Sequence, residues 1–189
     1  MKKRISLLLA TLICVLTFSA CVGSIGRSND YKSVADQYVV ANFEGDGEAL
    51  LDLYPEKLLK KQLALNDMKK GDLIQQYNTY MKEYIYDLNG LDSKWAYRYS
   101  ITDEEDIEAS ALKDLSEYFR EQAETEVNLS AGKYIYINAA LIINGKKHFI
   151  ETRPFAIYNI DGVWCCIEDN LSFDIKQEVR DIMRSFEGK

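Results

Sequence analysis

Two turns constrain this chain more than any other feature. Asn144-Gly145 and Asp161-Gly162 each interrupt a long run rich in β-branched and aromatic residues. Such dipeptides favour the two-residue turn whose twist matches that of paired strands. They predict three strands, at about 133–143, 148–160 and 163–168, folded as an antiparallel meander. The turns also set the register, with Ile143 opposite Lys146 and Tyr158 opposite Cys165. Alternation then puts Ile135, Ile137, Ala139, Leu141, Ile150, Ala156, Tyr158, Val163, Cys165 and Ile167 on one apolar face, expected to meet the helices. The opposite face takes Tyr134, Tyr136, Asn138, Phe149, Glu151, Arg153, Phe155, Trp164, Cys166 and Glu168. It mixes aromatics with charges, as recognition surfaces do. Pro154 demands a bulge or bend in the second strand, and a bulge shifts the facing by one residue.

Helical spacing dominates the region before the meander. Tyr31, Val34, Ala35, Tyr38 and Val39 form one stripe over 30–43, with Asn29 or Asp30 available as cap. A short helix is expected over 48–54, and Pro55 opens another that carries Leu58, Leu59, Leu63 and Leu65. Residues 72–88 make a strongly amphipathic helix that Asn89-Gly90 should end. At Trp95 the period changes to two, predicting a strand to Ile101. Thr102-Asp103-Glu104-Glu105 reads as a capping box opening a helix to about Glu126. A last helix, 172–186, lines up Ile175, Val179, Ile182, Met183 and Phe186.

The first twenty residues read as a targeting segment. Lys2, Lys3 and Arg4 precede the apolar run Ile5–Phe18, which is short for a membrane span and of the right length for a signal-peptide core. Ser19 and Ala20 then precede Cys21. This arrangement resembles the bacterial lipobox, which implies cleavage before Cys21 and thioether lipidation of its thiol. Ordinary secretion with cleavage after Ala20, or an uncleaved anchor, are the alternatives. The resemblance implies a cell-membrane location on the extracytoplasmic face, and two acyl chains suffice for stable anchoring. Residues 22–29, VGSIGRSN, read as a short tether. The expected organisation is a signal peptide (1–20), a lipidated Cys21 with tether (21–29), a folded domain (30–170) and a C-terminal helix (171–189).

The whole chain has 189 residues, 47% of them hydrophobic, with a formal net charge of −7. One domain accounts for that length, and the acidity argues against nucleic-acid partners. Removing residues 1–20 takes away three more positive charges, so an anionic leaflet should repel the domain.

The expected order is helices, strand, long helix, three strands, final helix. It is an α+β arrangement with N-terminal helices packed on a bent antiparallel sheet. The strand ending Tyr99-Ser100-Ile101, the acidic segment Thr102–Asp106 and the hairpin from Tyr158 to Trp164 resemble the NTF2-like (cystatin-like cone) domains found in small lipoproteins of Gram-positive bacteria. The resemblance covers about residues 30–170 and implies a fold and a location rather than an activity.

Chemical motifs are sparse. Cys165 and Cys166 are adjacent, so on a strand they point to opposite faces and do not bond each other. His148 is the only histidine, and the meander separates it from both cysteines by about 33 Å at 3.3 Å per residue. The acidic run 103–108 lacks calcium-loop spacing. Lys57, Lys60, Lys61, Lys69 and Lys70 read as a solvated basic face, with anionic headgroups or cell-wall polymer as the alternative contact. Nothing calls for a cofactor or metal. Tyr136, Glu151 and Arg153 share the mixed face, yet no spacing marks a catalytic set. The expectation is a non-enzymatic, lipid-anchored binding or interaction module. Its candidate binding residues are Tyr134, Tyr136, Arg153 and Trp164, facing a protein partner or a second copy. The structural alternatives for that face are a homodimer interface or cover by the last helix. The other function class is an enzyme or small-ligand binder with a hollow cone.

Overall fold

The computed structural model describes residues 30–90, 94–122, 124–167 and 170–187. The signal segment, Cys21 and the tether lie outside them.

Four helices come first. Helix α1, Tyr31–Glu44, is capped by the Asp30 carboxylate, which accepts from the Lys32 N–H at 3.1 Å. Gly45 ends it at φ +63°, a left-handed conformation that glycine adopts without steric cost. Helix α2 is Gly47–Asp52, capped by Asp46, and α3 is Glu56–Leu65 with Pro55 as N-cap. Helix α4, Lys70–Gly90, has the Asn89-Gly90 pair expected to end it as its last two residues. Strand β1, Trp95–Asp106, and helix α5, Ala109–Gln122, follow. The meander consists of β2, Leu129–Ile143; β3, Lys146–Ile150; β4, Phe155–Ile160; and β5, Val163–Cys166. Helix α6, Asn170–Glu187, is the last described element. No described helix is long and apolar enough to cross a membrane.

The architecture is α+β: an open antiparallel sheet in the order β1-β2-β4-β5, with β3 sharing the edge of β2 used farther along by β4. Both expected registers are present, Ile143 opposite Lys146 and Tyr158 opposite Cys165. Their turns have positive φ at both central residues, 51° and 79° at Asn144-Gly145, 54° and 85° at Asp161-Gly162. That is the geometry that right-twisted hairpins select.

Two expectations are corrected. The helix placed at Thr102 begins only at Ala109, because β1 continues to Asp106 after a register shift between Ile101 and Asp103. Strand β2 is fifteen residues long and offers pairing partners for this whole stretch. Glu105 accepts from the Tyr136 hydroxyl at 3.0 Å, and Asp106 from Lys133 at 2.6 Å. Cross-strand pairing therefore outweighs the local capping preference.

The second correction concerns the run 148–160, which is broken at 151–154. There the Thr152 hydroxyl donates to the Ile137 carbonyl at 3.1 Å, and the Arg153 N–H to Asp174 Oδ2 at 3.0 Å. The break inverts the facing of everything after it. Phe155, Ile157 and Cys166 join Ile135, Ile137 and Leu141 in the main core, while Ala156, Tyr158 and Cys165 turn to the other side.

The main core lies between the inner sheet face and helices α1, α4 and α6. Tyr38, Phe43, Met81, Tyr84, Leu88, Leu141, Phe155, Ile157 and Ile175 are all essentially inaccessible, so large side chains fill the space under the sheet. A polar thread crosses it. The Asn42 amide donates to the Tyr38 carbonyl at 2.8 Å, the Tyr84 hydroxyl reaches the Asn42 carbonyl at 2.8 Å, and the Ser172 hydroxyl donates to Asn42 Oδ1. These bonds satisfy the buried polar atoms of three helices at once. On the outer face α5 lies close against β2. A Cβ on Gly132 would sit 2.9 Å from Ile107 Cδ1 and 3.0 Å from Leu112 Cδ2, so any side chain there would push these side-chain tips aside.

Candidate functional site: the bare half of the outer sheet face

Helix α5 covers only part of the outer face. Leu112, Leu115 and Phe119 seal the region of Ala156, Tyr158 and Cys165. The remainder faces solvent, and its side chains follow from strand parity. Arg98, Ser100, Asp103 and Glu105 project from β1, Tyr134, Tyr136 and Asn138 from β2, and Lys147 and Phe149 from β3. Phe149 is 67% exposed and Tyr134 40%. The Lys147 ammonium lies 4.4 Å from the centre of the Phe149 ring, a cation–π contact that holds an apolar ring in water. A shallow hollow of about 200 Å³ separates Arg98 and Asn138 from Lys147 and Phe149.

Charge is sorted along the strands. Arg98 and Lys147 stand at the Ala140–Ile142 end, and Asp103 and Glu105 at the Tyr134–Tyr136 end. The Tyr136 hydroxyl donates to Glu105, and this bond, more than its slight desolvation, raises the phenol above its ordinary pKa. At neutral pH it is therefore a fixed donor.

Two of the four candidate binding residues, Tyr134 and Tyr136, lie in this site. Trp164 does not. It is on the inner face, half-buried, with its ring 5.5 Å from that of Tyr31, because the break at 151–154 reversed the parity of β4 and β5. Arg153 sits in that break, its guanidinium 5.9 Å from the Phe173 ring, away from Tyr136. Arg98 was legible from the two-residue period of its strand. Asp103 and Glu105 were hidden by the capping-box reading.

A second cluster occupies the inner face where α1 begins. The Tyr31 hydroxyl donates to both oxygens of Glu104 at 2.7 and 2.9 Å, and Lys133 lies 3.7 Å from Glu104 and 2.6 Å from Asp106. The bond to Glu104 raises the Tyr31 pKa, and the bond to Asp106 raises that of Lys133. Both donors are thus held protonated at neutral pH, which suits a clamp between α1 and the sheet rather than proton transfer.

Cys165 and Cys166 are buried thiols on opposite faces, donating to the Tyr158 and Ala156 carbonyls at 3.2 and 3.5 Å. Among the described residues no group of three or more His, Cys, Asp and Glu is placed to hold a metal. Four of the five lysines of the basic cluster are paired in place, Lys57 with Asp161, Lys60 with Glu56, Lys61 with Glu124 and Lys70 with Asp52, at 2.6–2.9 Å. No protein-family model, curated protein or solved structure matches the chain.

Proposed function

We propose that the chain is a non-enzymatic interaction module, anchored by lipid at Cys21 to the outer side of the cell membrane, with an NTF2-like domain that engages a protein partner or a second copy through the bare half of its sheet. The observation that carries this reading is the solvent-facing set Phe149, Tyr134 and Tyr136 flanked by opposite charges. Aromatic residues ringed by polar groups are the composition of protein-binding patches. The filled core gives no support to a hollow cone holding a substrate, since Tyr38, Phe43, Tyr84 and Phe155 occupy that space.

The test uses the full chain in its native membrane, with a photo-crosslinking amino acid at position 149 and, separately, at Tyr118 on α5, which is 58% exposed. A discrete adduct from 149 and none from 118 is expected, with loss of the adduct in Tyr134→Arg. Equal or absent labelling at both positions refutes the interaction reading. Cys21→Ser should release the chain from membranes or leave a larger precursor, and unchanged detergent partitioning and size refute the anchor.

A further inference from the structure

Strand β5 has one edge on β4 and another that is only partly covered. The two-residue turn at Asp161-Gly162 makes Ile160/Val163 a hydrogen-bonded pair. By alternation Tyr158/Cys165 is the next such pair, so the amide and carbonyl of Trp164 and Cys166 point away from the sheet. Cys166 shows this directly, because its N–H donates to the Leu53 carbonyl at 3.0 Å, in the elbow between α2 and α3. Trp164, two residues earlier, has no such cover among the described residues. None of the described residues is hydrogen-bonded to its N–H or its C=O.

Beside that edge lies a cleft of about 610 Å³, within the range of sites that take small ligands. Its floor is apolar, formed by Val34, Leu53, Pro55, Val163 and Trp164. Its rim carries Asp52, Glu56 and Asp161, and each is already neutralised by a lysine: Lys70, Lys60 and Lys57 respectively. With each carboxylate paired to a lysine, the rim offers no net charge to draw an ionic ligand, and an uncharged one leaves the pairs intact. A donor and an acceptor presented by one residue of a strand edge are matched by another extended backbone.

We propose that this cleft binds an uncharged, extended peptide segment, which pairs through backbone with Trp164 in line with the Leu53 elbow and seats one apolar side chain on the Val34–Leu53–Trp164 floor. The site is distinct from the bare sheet face, so either can fail without the other.

Amide exchange on the isotopically labelled full chain in detergent micelles provides the test. Without ligand, the Trp164 amide should exchange at least about tenfold faster than those of Cys165 and Cys166. Protection of Trp164 in the free chain shows the edge to be already covered and overturns the proposal. Acetyl-Ala-Val-Ser-amide should then shift the Trp164 resonance saturably, with a Kd near 1 mM, and slow its exchange (order of magnitude). An analogue with an ester oxygen replacing the valine N–H should bind about three- to tenfold more weakly, the worth of one hydrogen bond. Absence of saturable binding up to about 10 mM overturns the proposal. Equal binding by the ester does the same, as does a response of these resonances to chitotriose and not to the peptide.

Discussion

Neighbouring residues Ile135 and Tyr134 share one strand, yet they should respond oppositely to truncation. Ile135 is 1% exposed in the core under the sheet, and Tyr134 is 40% exposed on the bare face. Ile135→Ala deletes three buried carbons, worth about 2.4 kcal/mol of transfer free energy at about 0.8 kcal/mol per carbon. The cavity left among Tyr38, Phe155 and their neighbours adds about 1 kcal/mol, for a total near 3–4 kcal/mol. Tyr134→Ala leaves no cavity, because solvent already reaches the ring, and should cost about 1 kcal/mol. Urea unfolding followed by far-UV circular dichroism separates the two. With a slope of about 2 kcal/mol per molar urea, the midpoint falls by about 1.5–2 M for Ile135→Ala and about 0.5 M for Tyr134→Ala. If Tyr134→Ala is the more damaging, the sheet faces have been assigned the wrong way round. The tyrosine side would then be core and the site described above would not exist.

Two further outcomes follow from particular contacts. Burial and the nearby carboxylates of Glu44 and Asp36 push Tyr97 and Tyr99 up from 10.0 to about 12, and burial pushes Tyr84 higher still. Folded-state values above the unfolded value mean stability that is complete below pH 10 and is lost as pH rises through about 12, so phenolate absorbance should show a late fraction that appears together with unfolding. Titration of all tyrosines near pH 10 in a chain that stays folded would falsify this assignment. Gly132→Val should force α5 off the sheet at a cost of about 1–3 kcal/mol, visible as faster amide exchange in 109–122, and unchanged protection there would show that the helix does not bear on Gly132.

The parts of this fold that could be read from sequence are those whose cause is local. Asn144-Gly145 and Asp161-Gly162 dictate their own turn geometry, so the two registers follow without knowledge of the rest. The stripes of α1 and α6 are equally self-contained. Residues 102–106 defy a local reading because Thr-x-x-Glu suits a helix start as well as a strand with both faces charged, and the deciding factor is a distant strand long enough to pair with it. Pro154 announced a bend but not how many residues the bend would consume. The four residues 151–154 stand opposite only three of β2, 136–138, so the parity reverses and Trp164 passes from the expected face to the opposite one. Of the candidate site, Tyr134, Tyr136 and Phe149 precede the break and could be placed by alternation, whereas Arg153 and Trp164 depended on it.

The polar thread through the core has a consequence for the order in which this chain can mature. Asn42 and Ser172, which it joins, are 130 positions apart, and the Tyr38 hydroxyl meets the Leu171 amide across a similar span. Helix α1 is made well before α6, so the surface that will hold Val179 and Ile182 stays without its complement until α6 has been made. Closure therefore waits for contacts separated by 130 positions or more, with the slow search that such distant pairings impose. A chain truncated before residue 170 would lack the side chains that seal the core on this side, leaving an apolar surface open to proteases and chaperones.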